Sequence, residues 1–377
     1  MLNRRTLRIK VMQALYALEQ CKEANYQRCL ERIVAAYQPD LNSMEPQDKK
    51  QLDKSKNQAI ALFKKHFDNI SEAHAEDEQM VKLLVSERKF YDDQVAKDLR
   101  FFKQQILIEV EAIYSLYIQL LALLIEFADA ARAEKKLNHI NFTRNLWIKE
   151  LKENKSIQAT ILKFSDWTQH ASEVRNWFKD VVKNNDTYLA YLDKKEPSNE
   201  DQLSILIYIS RKIVLSKGRI FDFFELKDLY WAENKDIVKS LVDKTLKSFN
   251  PETGESMQLQ TLSPNWEEDK QFFIDLFEAV VKLEPEYKDL IADNTKNWEV
   301  DRLPLTDRVI LELAISEALN FHNIPIKVTI NEYIELSKKY STDKSRQFVN
   351  GILDVITKKM QQSGSLKKSG RGLIDNK

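Results

Sequence analysis

Lys344-Ser345-Arg346-Gln347-Phe348-Val349-Asn350-Gly351-Ile352-Leu353-Asp354-Val355-Ile356 admits two readings, and the choice between them sets the fold. Asn350-Gly351 is a dipeptide of tight hairpin turns, because both residues tolerate positive φ. Strands would then flank it, with apolar residues at every second position. They do not alternate. Phe348, Ile352 and Ile356 recur at every fourth position, with Val349 and Leu353 beside them, which is the spacing of one helix face. The periodicity predicts a helix over 345–360 that runs through Gly351. A helical glycine costs about 1 kcal/mol relative to alanine, so Gly351 is expected to admit the close approach of a neighbour's backbone.

The same period extends outward. Helices are predicted over 266–282, 285–293, 306–321 with Thr306 as N-cap, and 329–340, with a turn at His322-Asn323-Ile324-Pro325. At the other end, Leu7, Val11, Ala14, Leu15 and Leu18 mark one or two helices over 4–38. Between these ends lie further helical patterns: 59–68, 76–91, 93–133, 144–153, 156–163, 170–192, 199–216 and 233–248. Pro197-Ser198-Asn199 reads as a helix start. Polar residues 39–58, with two prolines, read as a linker, and 250–265, with Pro251, Gly254 and Pro264, as a boundary. From Gln361 onward a disordered basic tail is expected.

Six glycines and eight prolines in 377 residues suit long helices with few tight turns, and no sustained period-2 pattern occurs. An all-α chain is expected. Its length allows two cores, and 43% hydrophobic with 31% charged residues describes a globular protein. The formal charge of zero excludes a strong global field, so any nucleic-acid surface must be a local basic patch. The first 38 residues are locally basic, with Arg4, Arg5, Arg8, Lys10, Lys22, Arg28 and Arg32 against Glu19, Glu23 and Glu31.

Other chemistries find little footing. Cys21 and Cys29 cannot form a metal quartet, and the sparse cysteines fit a reducing cytoplasm. His66, His74, His139, His170 and His322 are scattered without ligand spacing, and no glycine-rich phosphate loop is present. No catalytic residue, metal or cofactor is expected. Ala112–Ile125 is apolar but falls short of the roughly 20 residues that span a bilayer. It reads as a core helix, with no membrane partner.

Arg4 and Arg8 stand one helical turn apart with Arg5 between them, and guanidinium forks suit phosphate oxygens. A positive first turn opposes the helix dipole, so helix stability alone does not explain them. Phe348 is a core residue by composition alone. An exposed ring there would stack on an unpaired base.

Four stretches in order resemble the NusB family: Arg4-Arg5 and Arg8 leading into Gln13-Ala14-Leu15-Tyr16; Asp307-Arg308-Val309-Ile310-Leu311-Glu312-Leu313-Ala314; Ile324-Pro325-Ile326-Lys327-Val328-Thr329-Ile330-Asn331-Glu332; and Phe348-Val349-Asn350-Gly351. The resemblance implies an all-α, NusB-like pair of helical bundles carrying a large helical insertion. The division would be 1–38 and 263–360 for the NusB-like parts, 39–262 for the insertion, and 361–377 for the tail. It implies a non-enzymatic factor in transcription antitermination that binds boxA RNA together with NusE, a ribosomal small-subunit protein. RNA polymerase and other Nus factors would join indirectly.

By the same resemblance Arg4, Arg5 and Arg8 meet the RNA backbone, Phe348 stacks on a base, and Asn350 lies beside the RNA. Tyr16 and Asp307 face NusE. Lys344 stands where the family often has an acidic residue and would add attraction. Gln347 replaces a basic residue, for which Arg346 would compensate, and Glu312 stands where arginine is common. Two other readings remain open: a targeting domain of an rRNA-modifying enzyme, and a helical protein scaffold without RNA binding.

Overall fold

A computed structural model describes residues 2–39, 47–73, 77–295 and 303–373. In chain order the helices are α1 (Arg4–Ala36), α2 (Lys49–Lys65), α3 (Glu78–Ala133), α4 (Ile140–Thr143), α5 (Leu146–Glu153), α6 (Lys155–Phe164), α7 (Ala171–Trp177), α8 (Asp186–Leu192), α9 (Asn199–Tyr208), α10 (Arg219–Lys227), α11 (Trp231–Lys247), α12 (Trp266–Val281), α13 (Pro285–Thr295), α14 (Leu305–Asn320), α15 (Ile326–Tyr340) and α16 (Asp343–Gln362). Among the described residues no strand occurs; a single antiparallel bridge joins Asn250 and Glu255. The chain is all-α.

Several boundaries differ from the sequence reading for local reasons. Residues 49–58 are helical rather than linker, because Asp48 caps the amides of Lys50 and Gln51. Their polar residues are the solvent face of α2, whose inward stripe ends in buried Ala59 and Phe63. The two helices expected over 76–133 are one 56-residue helix, α3, capped by Asp77. Asp92-Asp93 does not break it, since Arg88 one turn earlier pairs with Asp92. Residues 170–192 divide where Asn185 caps α8 by accepting from the Thr187 and Tyr188 amides. The start at Ser198 is a full capping box with Asp201. Helix α10 was not foreseen; Gly218, at φ 153°, precedes it and Ile220, Phe221 and Phe224 are its buried face. Thr306 is not a cap, because α14 starts at Leu305 behind Pro304.

The chain forms two compact units. The first contains Met1–Arg4 and Leu107–Lys270, the second Arg5–Ile106 and Gln271–Lys377. In the first, buried Val110, Ile113, Tyr117, Leu120, Leu121, Leu124 and Phe127 of α3 supply the core. Phe127 meets Phe178, and Phe224 stacks on Trp231 with centroids 4.8 Å apart. Several buried polar tips find partners, although the buried Trp231 indole nitrogen has none among the described residues. The Trp147 indole donates to the Leu246 carbonyl (2.7 Å), that of Trp167 donates to the Gln119 carbonyl (2.8 Å), and the Tyr117 hydroxyl meets Thr245 Oγ1 at 2.5 Å. By length and composition α3 could cross a membrane, with a mean hydropathy of 1.7 over its most apolar window. However, 61% of that window is buried inside the protein, as for a core helix.

In the second unit, Cys29 and Ile33 of α1, Ala59 and Phe63 of α2, and Met80 and Leu84 of α3 form one cluster. α14 is buried nearly all round, from Val309 to Ala318, and packs against α13, α15 and α16. The tail is ordered through Leu373 rather than loose. The Lys368 ammonium donates to the Phe321 carbonyl (3.1 Å) and the Ser369 amide to the His322 carbonyl (3.0 Å). A Cβ at Gly372 would stand 2.1 Å from that His322 oxygen, so only glycine fits there.

Candidate nucleic-acid interface

The second unit is organised around a buried carboxylate. Glu317 projects from α14 with no solvent exposure and receives both fork donors of Arg8 from α1, Nε at 2.6 Å and Nη2 at 2.9 Å. The Thr329 and Tyr333 hydroxyls of α15 add donors at 2.8 and 3.0 Å. The Phe272 and Tyr333 rings lie 5.4 and 5.9 Å from the Arg8 guanidinium. Burial opposes the charge on Arg8, but the Glu317 hydrogen bond and charge outweigh it and hold Arg8 firmly protonated. Burial beside Glu317 raises the Tyr333 phenol. One ion pair thus ties α1, α14 and α15 together and fixes the side chains that emerge from α15.

Outside this core the charges face solvent. Arg5 is half exposed and grips Glu332 of α15 through Nε and Nη2, both at 2.8 Å. The hydrogen bond from Arg5 holds the Glu332 carboxyl below its usual range. Arg5 and Ile9 line a groove of about 250 Å³ with Glu335, Leu336, Lys338, Lys339 and Tyr340. Lys338 belongs also to a second groove of about 520 Å³, lined by Ile334, Asp343, Arg346, Gln347 and Asn350.

The local sequence explains this second groove. Thr342 caps α16 by accepting from the Ser345 amide, and Ser345 is buried against Ser341 and Thr342. That phase turns Phe348, Val349 and Ile352 inward and leaves Arg346 and Asn350, one turn apart, on the open side. Lys338 pairs with Glu335, and Arg346 lies in the field of the same carboxylate. The two grooves and exposed Lys344 therefore present five cations (Arg5, Lys338, Lys339, Lys344, Arg346) against Glu332, Glu335 and Asp343. Two amides, Gln347 and Asn350, stand over an apolar wall at Ile334. Such a surface can hold phosphates by charge and base edges by hydrogen bonds.

The sites expected from sequence are distributed unevenly. Arg5, Lys344, Arg346 and Asn350 are on the surface. Arg8 is not; it is 3% exposed and committed to Glu317, so it supports the fold rather than meeting RNA. Arg4 pairs with Glu268 (2.5 Å) and Asp269 (3.5 Å), in the first unit. The Phe348 ring is 7% exposed, packed inward with the rest of its stripe, and offers no face to a base. Tyr16 is 41% exposed, as a partner contact requires. Asp307 is 1% exposed, with its Oδ1 lacking a hydrogen-bond partner, so its carboxylate does not face outward. Near Tyr16, a cleft of about 410 Å³ is lined by Glu19, Gln20, Lys22, Glu23, Tyr91, Leu305 and Arg308, with Arg308 bound to Glu19 at 2.6 Å. Lys338 and Lys339 escaped the sequence reading. They read as ordinary positive charge in a last helical turn, and only the α15–α16 packing shows that Lys338 borders both grooves.

The NusB family profile matches residues 233–358, from α11 through most of α16. Residues 233–358 are a NusB-family segment. Three curated relatives agree, each called transcription antitermination protein NusB. That of Chloroherpeton thalassium is 42% identical over 106 residues, 28% of this chain and 50% of its own. The Salinibacter ruber protein is 40% identical over 105 residues, 28% of this chain and 66% of its own. The Desulforapulum autotrophicum protein is 41% identical over 87 residues, 23% of this chain and 61% of its own. The chain thus spans between half and two thirds of the length of these relatives. No solved structure matches it. The NusB-family segment contains the whole 520 Å³ groove, from Ile334 to Asn350.

Proposed function

We propose that this protein is a non-enzymatic, cytoplasmic transcription antitermination factor of the NusB type. It binds boxA RNA jointly with NusE and supports rRNA transcription, with RNA polymerase and other Nus factors recruited through that complex. The observation that carries the reading is the groove between α15 and α16, where Lys338 and Arg346 flank Gln347 and Asn350 inside the NusB-family segment. Arg5 and Lys344 extend its positive rim. Base recognition rests on the amides and Ile334, in place of a stacked Phe348. NusE takes the surface at Tyr16 and the neighbouring cleft, which offers both charge signs and an aromatic ring. The part that sets this chain apart from shorter relatives lies within 39–232, ahead of the matched segment that begins at residue 233.

The test is a titration of the full chain with boxA RNA at several salt concentrations, with and without NusE. Binding should tighten with NusE and weaken with salt, by a slope of about 0.7 per phosphate neutralised on a single strand. Binding of NusE with no RNA affinity at any salt would instead make the protein a helical scaffold. Methyl transfer to rRNA would make it the targeting part of a modifying enzyme.

A further inference from the structure

The RNA-facing guanidinium at the chain's start is already occupied. Arg5 reaches both oxygens of Glu332 through Nε and Nη2, at 2.8 Å each, so the two fork donors that would take a phosphate in bidentate fashion are satisfied within the molecule. The pair is nonetheless accessible, since the Arg5 side chain is 47% exposed and lines the smaller groove. Glu332 has a second cation behind it, because Arg8 Nη1 lies 3.6 Å from its Oε2. Arg8 itself stays anchored to Glu317 by its other donors. Glu332 can therefore release Arg5 without becoming an uncompensated charge.

Resting on the RNA-binding reading above, we propose that Glu332 is an intramolecular competitor for Arg5, and that the RNA backbone binds there by exchanging one of its phosphates for the Glu332 carboxylate. The exchange replaces one bidentate anion with another on the same fork, so it costs little geometry. It subtracts from the affinity of any anionic ligand and disfavours those that bring a single weak anion. Glu335 also raises the charge preference of Arg5 from the same helix, but its hydrogen-bonding partner is Lys338, which leaves Glu332 as the group in direct competition.

The probe is a single-stranded boxA RNA oligonucleotide with the full chain in the presence of NusE, at about 50 mM and 200 mM salt. Glu332→Gln should tighten binding roughly three- to tenfold, with the salt slope unchanged, because the same number of phosphates is neutralised. Arg5→Ala should weaken binding and lower the slope by about 0.7. In the Arg5→Ala background, Glu332→Gln should change nothing. Equal tightening in both backgrounds would mean diffuse repulsion and overturn the exchange. So would a Glu332→Gln protein that binds no better than the parent while keeping the parent's hydrogen-exchange protection in α15. If Glu332→Gln does not fold, Glu332→Asp, too short to span both donors, carries the same expectations. A parent chain that binds no RNA at low salt refutes the RNA reading itself, an outcome distinct from a parent that binds and a variant that does not respond.

Discussion

Arg8→Ala separates a structural arginine from an RNA-binding one. Glu317 is fully buried, and removing Arg8 leaves it with the Thr329 and Tyr333 hydroxyls as its hydrogen-bond donors among the described residues. Breaking a buried pair in this way costs about 3–5 kcal/mol, because the remaining charge has no solvent to return to. Since the chain has two units, one global unfolding curve is not the right assay. Hydrogen exchange localises the effect instead. Amides of α14 and α15 that open with the second unit should lose about two to three and a half decades of protection, at about 1.4 kcal/mol per decade. Arg8→Lys should not rescue it, because a point charge cannot reproduce the fork. Arg8→Met with Glu317→Leu should recover most of the loss. Protection within a factor of ten of the parent, combined with lost RNA affinity, would refute the reasoning and return Arg8 to the binding surface.

Phe348→Ala should destabilise the second unit by about 3–5 kcal/mol, read by the same exchange experiment, whereas Phe348→Leu should retain both fold and RNA affinity; an affinity collapse in the leucine variant would restore base stacking. Arg346→Ala should weaken RNA binding at unchanged stability and lower the salt slope by about 0.7, measured by fluorescence titration. Burial pushes the Glu312 carboxyl above its ordinary value, so its contribution is fully present below the ordinary carboxylate range and is lost as pH rises through the raised native value. Glu312→Gln should accordingly be more stable than the parent near pH 7 and equal to it near pH 4, read as hydrogen-exchange protection of the α14 amides at each pH. Gly372→Ala should expel the tail from the His322 loop, read as faster tryptic cleavage after Lys367 and Lys368.

Periodicity made the helices legible where an apolar stripe was strong, as at 345–360, and failed where polar residues formed a solvent face, as at 49–58. Nothing in the polar run around Asp48 distinguishes a capping aspartate from a loop one until the helix it caps is seen. The site was half legible. The α15–α16 motifs lead to the groove on which the RNA-binding proposal rests, and composition alone places Phe348 in the core. What favoured an exposed ring was family resemblance, which the capping phase at Thr342 overrides. The three arginines could not be sorted from sequence, because their roles depend on acids more than 250 positions away in the chain: Glu268 for Arg4, Glu332 for Arg5 and Glu317 for Arg8. Local spacing carries no information about such partners.

We place the RNA on the face built by α15 and α16. Hydrogen-exchange footprinting of the full chain with NusE, before and after addition of boxA RNA, tests it directly. Slower exchange concentrated in 326–362, with a smaller change at the start of α1, is the expected result. Slower exchange confined to Leu107–Lys270, with 326–362 unaltered, would contradict it.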